Sequence, residues 1–333
     1  MSPATPAEIS NHARVMNQLC REAGNGHPVA RLFSVASWNR LGVMPEGHVI
    51  HKLARELTDK FGGKQVRVSS PQGRFADAAA ILDGTVLEDA DAVGKHLFIN
   101  FEARQCVWIH LGLIGKFRFK PLSQIENYDT LRLLIADSKI GAELRGPQWC
   151  RLITPEEKLA VIAKSGPDPL RDDADPERAW KKVHNAKRTI AQLLMDQGVF
   201  AGVGNIYRAE VLFRHGVDPK LPANKLSREV FDSIWADLAA LMRADVLTGQ
   251  IDTVDPEHSP EEQHRDPRVD EHGGEVYVYR RAGQECLVCG EPIQLELYAG
   301  RNLYWCPKCQ PQASGGEPRA KHGGAWHNCA PKA

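Results

Sequence analysis

Residues 286–309 read CLVCGEPIQLELYAGRNLYWCPKC: two Cys-x-x-Cys turns, Cys286–Cys289 and Cys306–Cys309, with sixteen residues between them. Each turn can present two thiolates to one ion, and two such turns close the tetrahedron that structural Zn²⁺ takes. Cys286, Cys289, Cys306 and Cys309 are therefore expected to hold one zinc with no open position, adding folding energy to a segment too small for a core of its own. A redox pair is the competing reading of Cys-x-x-Cys. The apolar insert (Leu295, Leu297, Tyr298, Leu303, Tyr304, Trp305) favours a zinc ribbon. Arg301 falls in the hairpin of that ribbon, where a turn projects it outward, either as a phosphate clamp or as an ordinary solvated arginine. Cys20, Cys106, Cys150 and Cys329 read as unpaired thiols.

Working upstream, Gly202-Val203-Gly204-Asn205-Ile206-Tyr207 lies between two helical patterns. Asn205 stands where an N-cap belongs, so the amides of the following helix are expected to face an anion. With Met195-Asp196-Gln197-Gly198 before it, the segment forms helix, two turns, helix; Ile190, Leu193 and Leu194, then Ile206, Ala209, Leu212 and Phe213, mark the apolar faces. Charge gathers here. The whole chain balances 42 basic against 42 acidic residues, yet residues 178–220 carry eight basic and three acidic ones, a distribution suited to phosphates. Residues 252–271 carry eight acidic and two basic residues and three prolines, which reads as a solvated linker. Glu275–Arg280 (EVYVYR) reads as a strand, and the chain from Pro311 as a disordered tail.

Toward the N-terminus, Pro45 suits the first turn of a helix, and Ile50, Leu53, Leu57 and Phe61 recur at steps of three and four until Gly62 and Gly63. Short alternating segments follow at Gln65–Ser69, Leu97–Phe101 and Val107–Leu113, the last two joined as a hairpin. Together these predict an α+β multidomain chain. A β-sandwich with an opening helix covers 44–165, a helix-two-turns-helix domain with the acidic linker covers 166–274, and a zinc-finger module covers 275–310. Residues 1–43, without sustained periodicity, are read as a disordered or non-native extension, and 311–333 as a tail. No apolar run reaches the ~18 residues of a membrane span, and no basic start with an apolar stretch marks a secretory leader, so a cytoplasmic protein with reduced cysteines is expected.

Four motifs in order, PEGH at 45–48, GKHL at 94–97, GVGNIYRAE at 202–210 and C-x2-C-x16-C-x2-C, resemble the formamidopyrimidine-DNA glycosylase and endonuclease VIII family over roughly 44–310. VSSPQGRFAD, GKHLF, LLMDQ and YVYRRAG resemble its actinobacterial endonuclease VIII branch most. The resemblance implies a nucleoid-associated base-excision enzyme that removes oxidised bases from double-stranded DNA and cuts the strand at the abasic site by β/δ elimination; with one site spanning the domains and no long heptad seam, a monomer is expected. Pro45 matches the family's N-terminal nucleophile. A terminal α-amine has a pKa of about 8 against about 10.4 for lysine, so more of it is unprotonated near neutral pH.

By the same resemblance Glu46 is the acid that protonates the opening sugar. Lys95, Asn205 and Arg301 grip phosphates around the flipped nucleotide, Lys95 and Arg301 also belonging to the catalytic set. Leu113 is the hydrophobic wedge, with a core strand residue as the plain alternative, and Arg145 is a further DNA contact. Glu210 is expected to be structural. The segment Glu143–Pro147 lacks the Arg-Arg-Phe pattern of the formamidopyrimidine branch, which points to oxidised pyrimidines, with ring-opened purines as the alternative. With residues 1–43 in place the Pro45 nitrogen is an amide and cannot attack. Initiation at Met44 or removal of the extension is then required; otherwise the chain is a noncatalytic DNA-damage binder.

Overall fold

The computed structural model describes residues 45–270 and 273–312. They belong to the second of two compact units, residues 43–333; the extension, the chain after 312, Cys20 and Cys329 lie outside the described residues.

Helix α1 (Gly47–Phe61) opens the fold, followed by β1 (Lys64–Gln65), β2 (Arg67–Ser69), α2 (Ala76–Leu82), β3 (Val86–Val93), β4 (His96–Phe101), β5 (Gln105–His110), β6 (Lys116–Pro121), β7 (Leu131–Ala136), β8 (Ile140–Arg145) and β9 (Trp149–Ile153). The strands form two antiparallel sheets, β1-β3-β4-β5-β9 and β2-β7-β8-β6. Alternation fills the space between them: Leu97, Ile99, Phe101, Val107 and Ile109 from one sheet meet Val68, Leu133, Ile135 and Leu144 from the other. Ile50, Leu53, Leu57 and Phe61 line one face of α1 and join this core, each contributing roughly 1.5–3 kcal/mol by burial. Phe98 points the other way and is buried with Cys106 and Ile153 beneath Val161 and Ile162. Those two residues come from α3 (Pro155–Lys164), which starts in a Thr154/Glu157 capping box.

Next come α4 (Pro176–His184), α5 (Ile190–Leu194), α6 (Asn205–Arg214) and α7 (Arg228–Thr248), then the ribbon strands β10 (Gln294–Tyr298) and β11 (Arg301–Trp305). Leu193, Leu194, Phe200, Ile206, Leu212, Phe213, Phe231 and Leu238 build the helical core, which continues into the ribbon through Leu303 and Cys306. Ala299 and Gly300, both with positive φ, make the tight turn between β10 and β11. The expected α+β architecture is present: sandwich, helical domain and ribbon.

Four local expectations are corrected. Gln65–Ser69 is not one strand: the chain passes at buried Val66 from the first sheet to the second. The strand expected over Val107–Leu113 ends at His110. Glu275–Arg280 forms no strand, because the amides of Tyr277, Val278 and Tyr279 donate to the buried carboxylate of Glu210 at 2.7, 2.9 and 2.8 Å, leaving none for a neighbouring strand. The acidic segment is not a free linker either. Arg214 donates to Thr253 O at 2.6 Å and Asp255 Oδ1 at 2.9 Å, so its acidic residues dock it on α6.

Candidate active site

Pro45, half-buried, leads directly into Glu46, whose backbone is extended (φ −94°, ψ 175°) and whose side chain is buried. The Glu46 carboxylate does not cap its own helix. It accepts from the amides of Gly204 (2.9 Å), Ile206 (2.8 Å) and, more weakly, Tyr207 (3.4 Å), at the N-terminus of α6. Gly204 is the N-cap residue of α6 and has no side chain to offer. The anion expected at this helix start is therefore internal, supplied from α1, and Asn205 is the first helical residue rather than the cap. Burial raises the Glu46 pKa above the usual carboxylate value, against the nearby Lys95 charge and these amides.

Sandwich and helices approach backbone to backbone at this point, with Met242 Cε alongside. Gly47 donates its N–H to Gly202 O at 2.8 Å, and a Cβ on Gly47 would stand 2.9 Å from Gly202 Cα. Gly94, at φ +59°, would place a Cβ 2.9 Å from Gly202 N. Three glycines, from α1, the β3–β4 turn and the two-turn loop, thus meet where no side chain fits. Beside them the buried carboxylate of Asp168 accepts from Gly94 N at 2.6 Å and pairs with His51 Nε2 at 2.8 Å, tying the turn that carries Lys95 to α1.

Lys95 is buried, and burial lowers its pKa against the pull of Glu46, with the Arg301 charge lowering it further. Arg301 itself is exposed at the start of β11. Asn205 bridges to the ribbon, donating from Nδ2 to Asn302 O at 3.0 Å. Arg208, 1% exposed, donates to the same carbonyl at 2.8 Å and to Asn205 Oδ1. Four cysteine sulfurs lie within 4.8 Å of one another, with Cys286–Cys309 at 3.9 Å and Cys289–Cys306 at 3.5 Å. Tetrahedral Zn–S bonds of about 2.3 Å require sulfurs about 3.8 Å apart, so the set fits one zinc. Bound there, the ion would hold the hairpin that presents Arg301 and Asn302.

The plain alternative for Leu113 fails: the residue is 43% exposed on the turn after β5, beside Ile114 at 72%. Arg145 is spent on the protein itself, its guanidinium donating to Glu143 Oε2 (2.9 Å), Asn127 O (2.8 Å), Glu126 O and Thr130. The protein thus holds this guanidinium in place, with 24% of the side chain still accessible. Glu210, fully buried, accepts also from Thr253 Oγ1 at 2.7 Å and is structural as expected. Sequence reasoning missed Asp168, His51, Arg208 and the glycine seam; only the Gly-x-Gly at 202–204 carried a signal for any of them.

The family model for the formamidopyrimidine-DNA glycosylase N-terminal domain matches residues 44–145, the formamidopyrimidine-DNA glycosylase H2TH domain matches 165–256, and a zinc finger found in FPG and IleRS matches 283–312. Endonuclease 8 1 of Mycobacterium tuberculosis is 46% identical over 271 residues, covering 80% of this chain and 100% of its own. Formamidopyrimidine-DNA glycosylase of Methylococcus capsulatus is 31% identical over 284 residues, with the same coverage of 80% and 100%. Among solved structures, a complex of Lactococcus lactis Fpg with abasic-site DNA is similar in fold, at TM-score 0.65 and 22% identity, over 80% of this chain and 100% of that one. Three matching domains in order, joined by a full-length relative at this identity, place the chain in the formamidopyrimidine-DNA glycosylase and endonuclease VIII family.

Proposed function

We propose that this chain is a bifunctional DNA glycosylase and abasic-site lyase of base excision repair, removing oxidised bases, pyrimidines foremost, from double-stranded DNA through a covalent intermediate on Pro45. The observation that carries the reading is the setting of Glu46. Its carboxyl is buried beside Pro45, raised in pKa, held at the positive end of α6 and within electrostatic reach of Lys95. A carboxyl lifted by burial above the ordinary carboxylate range beside Pro45 suits proton transfer at that nitrogen and the sugar it would meet.

In this scheme the Pro45 nitrogen forms a bond to the sugar C1′ as the bond from C1′ to the base breaks, and Glu46 protonates the opening sugar oxygen. The resulting iminium acidifies C2′–H; loss of that proton expels the 3′ phosphate, and a second elimination expels the 5′ phosphate. Lys95, Asn205 and Arg301 hold the phosphates, and Leu113 fills the gap left by the extruded nucleotide, whose unstacking costs a few kcal/mol. A monomer acting at the nucleoid suits this reading. Among the described residues no helix is long and apolar enough to cross a membrane.

The family-model match begins at residue 44, which supports a mature terminus at Pro45. Protein starting at Pro45 is expected to form a borohydride-trapped adduct on duplex DNA carrying dihydrouracil or thymine glycol, and the full 333-residue chain none. If the Pro45-terminated protein gives no adduct on any oxidised or abasic duplex, the enzymatic reading falls. Since Pro45 follows Met44 in an amide bond in the full chain, noncatalytic damage binding is then the reading that stands. An adduct from the uncleaved full chain instead removes Pro45 as the nucleophile.

A further inference from the structure

The turn from Leu111 to Gly115 joins the two sheets at the Lys95 end of the sandwich. Leu111 is 3% exposed and anchors the turn in the core, whereas Leu113 and Ile114 stand in water at 43% and 72%. Gly115 N closes the loop onto Leu111 O at 3.1 Å. The Gly112 amide, at φ +70° in a place where a Cβ would lie 2.9 Å from Gln148 Cβ, donates to Nδ1 of His110 at 3.1 Å.

His110 is itself held on two sides. Its ring lies 4.6 Å from that of Trp149 and 5.4 Å from that of His96. His96 is fixed in turn by Trp108, whose Nε1–H donates to His96 Nδ1 at 3.1 Å. Burial holds His96 and His110 well below the ordinary histidine range, to about 4, with the other imidazole adding to it for His96 and Lys95 for His110. A neutral imidazole that accepts at Nδ1 carries its proton on Nε2, so the Gly112 amide selects one tautomer of His110 while the Trp–His row packs its ring.

We propose that His110 is a positioning residue whose Nδ1 fixes the turn presenting Leu113 and Ile114 to DNA, with His96 and Trp149 packed against its ring. The proposal rests on the reading of Leu113 as the wedge and extends it to the device that aims it. Without the acceptor, a left-handed glycine amide loses its partner, and the two exposed apolar side chains are no longer held in one place before DNA arrives.

Asparagine and glutamine separate the two ring nitrogens. In His110→Asn the side-chain oxygen sits at the same number of bonds from the backbone as Nδ1. In His110→Gln the amide reaches only the rank of Nε2.

The test uses the full chain and a duplex holding a tetrahydrofuran abasic analogue next to 2-aminopurine, whose fluorescence rises when the wedge unstacks it. Amide hydrogen exchange at Gly112 is read in the free protein. Wild type and His110→Asn are expected to agree within about twofold in both readouts. His110→Gln is expected to lose about fivefold in Gly112 protection, the loss of one hydrogen bond, and to lose the fluorescence rise as Leu113→Ala does. Equal losses in Asn and Gln variants, or none in Gln, overturn the proposal. A wild-type chain that gives no fluorescence rise while its Gly112 amide is protected overturns the reading of Leu113 as the wedge instead.

Discussion

Oε1 of Glu46 lies 2.8 Å from the amide nitrogen of Ile206, so the residue beside Pro45 serves as the cap of a helix more than 150 residues further along the chain (|i−j| 160). The proposed proton donor and the joint between sandwich and helices are one group. Replacing it tests both at once.

Glu46→Gln keeps the shape but sets an NH₂ among amide donors. Base excision is expected to fall by about 100-fold or more, the usual worth of a general acid, and stability by about 1 kcal/mol, that of a lost cap. Affinity for an abasic-analogue duplex stays within about threefold, because no phosphate contact is touched. Single-turnover assays, thermal melts and titrations separate the three; loss of binding in step with excision would contradict the assignment.

Gly204→Ala reaches the same group from the other side. A Cβ there would stand 2.4 Å from Glu46 Cδ, so the carboxylate must leave the helix start. Excision in this variant should approach that of Glu46→Gln although Gly204 has no side chain to offer DNA. Near-wild-type excision would show that the carboxylate works from elsewhere.

Much of this was legible in the residues. Periods of two and 3.6 separate sandwich from helical domain, the cysteine spacing marks the ribbon, and PEGH gains its meaning only in company with the other three motifs. What escaped depends on contacts made across the chain. Glu210 diverts the amides of Tyr277, Val278 and Tyr279 from strand pairing, and EVYVYR has every local sign of a strand. Likewise nothing near Asn205 says that Glu46, far upstream, already occupies the helix end.

Asp245 offers a test by pH. Burial lifts its pKa to about 6, against the hydrogen bond it accepts from Tyr207 Oη at 2.6 Å. A carboxyl whose folded pKa lies above its unfolded value near 3.8 supports the fold when protonated. That support is complete below about pH 4 and lost as pH rises through 6, up to about 3 kcal/mol in all. Asp245→Asn, which cannot titrate, should therefore gain on wild type in melting temperature between pH 4.5 and 7.5. A constant difference across that window would refute the linkage.

Removing zinc should act through position. Cys289→Ser, or chelation, is expected to free the β10–β11 hairpin, so that Asn302 O no longer holds Asn205 and Arg208. Affinity for abasic-analogue duplex should drop about tenfold or more, while the far-UV signal of the sandwich persists. Metal analysis should give one zinc per wild-type chain.

The meeting of Gly47, Gly94 and Gly202 brings main chain against main chain where sandwich and helices join. One added carbon at any of the three would wedge sandwich and helices apart by tenths of an ångström, just beside the proposed proton donor and nucleophile. Efforts to retune which lesions this protein accepts should leave that seam alone.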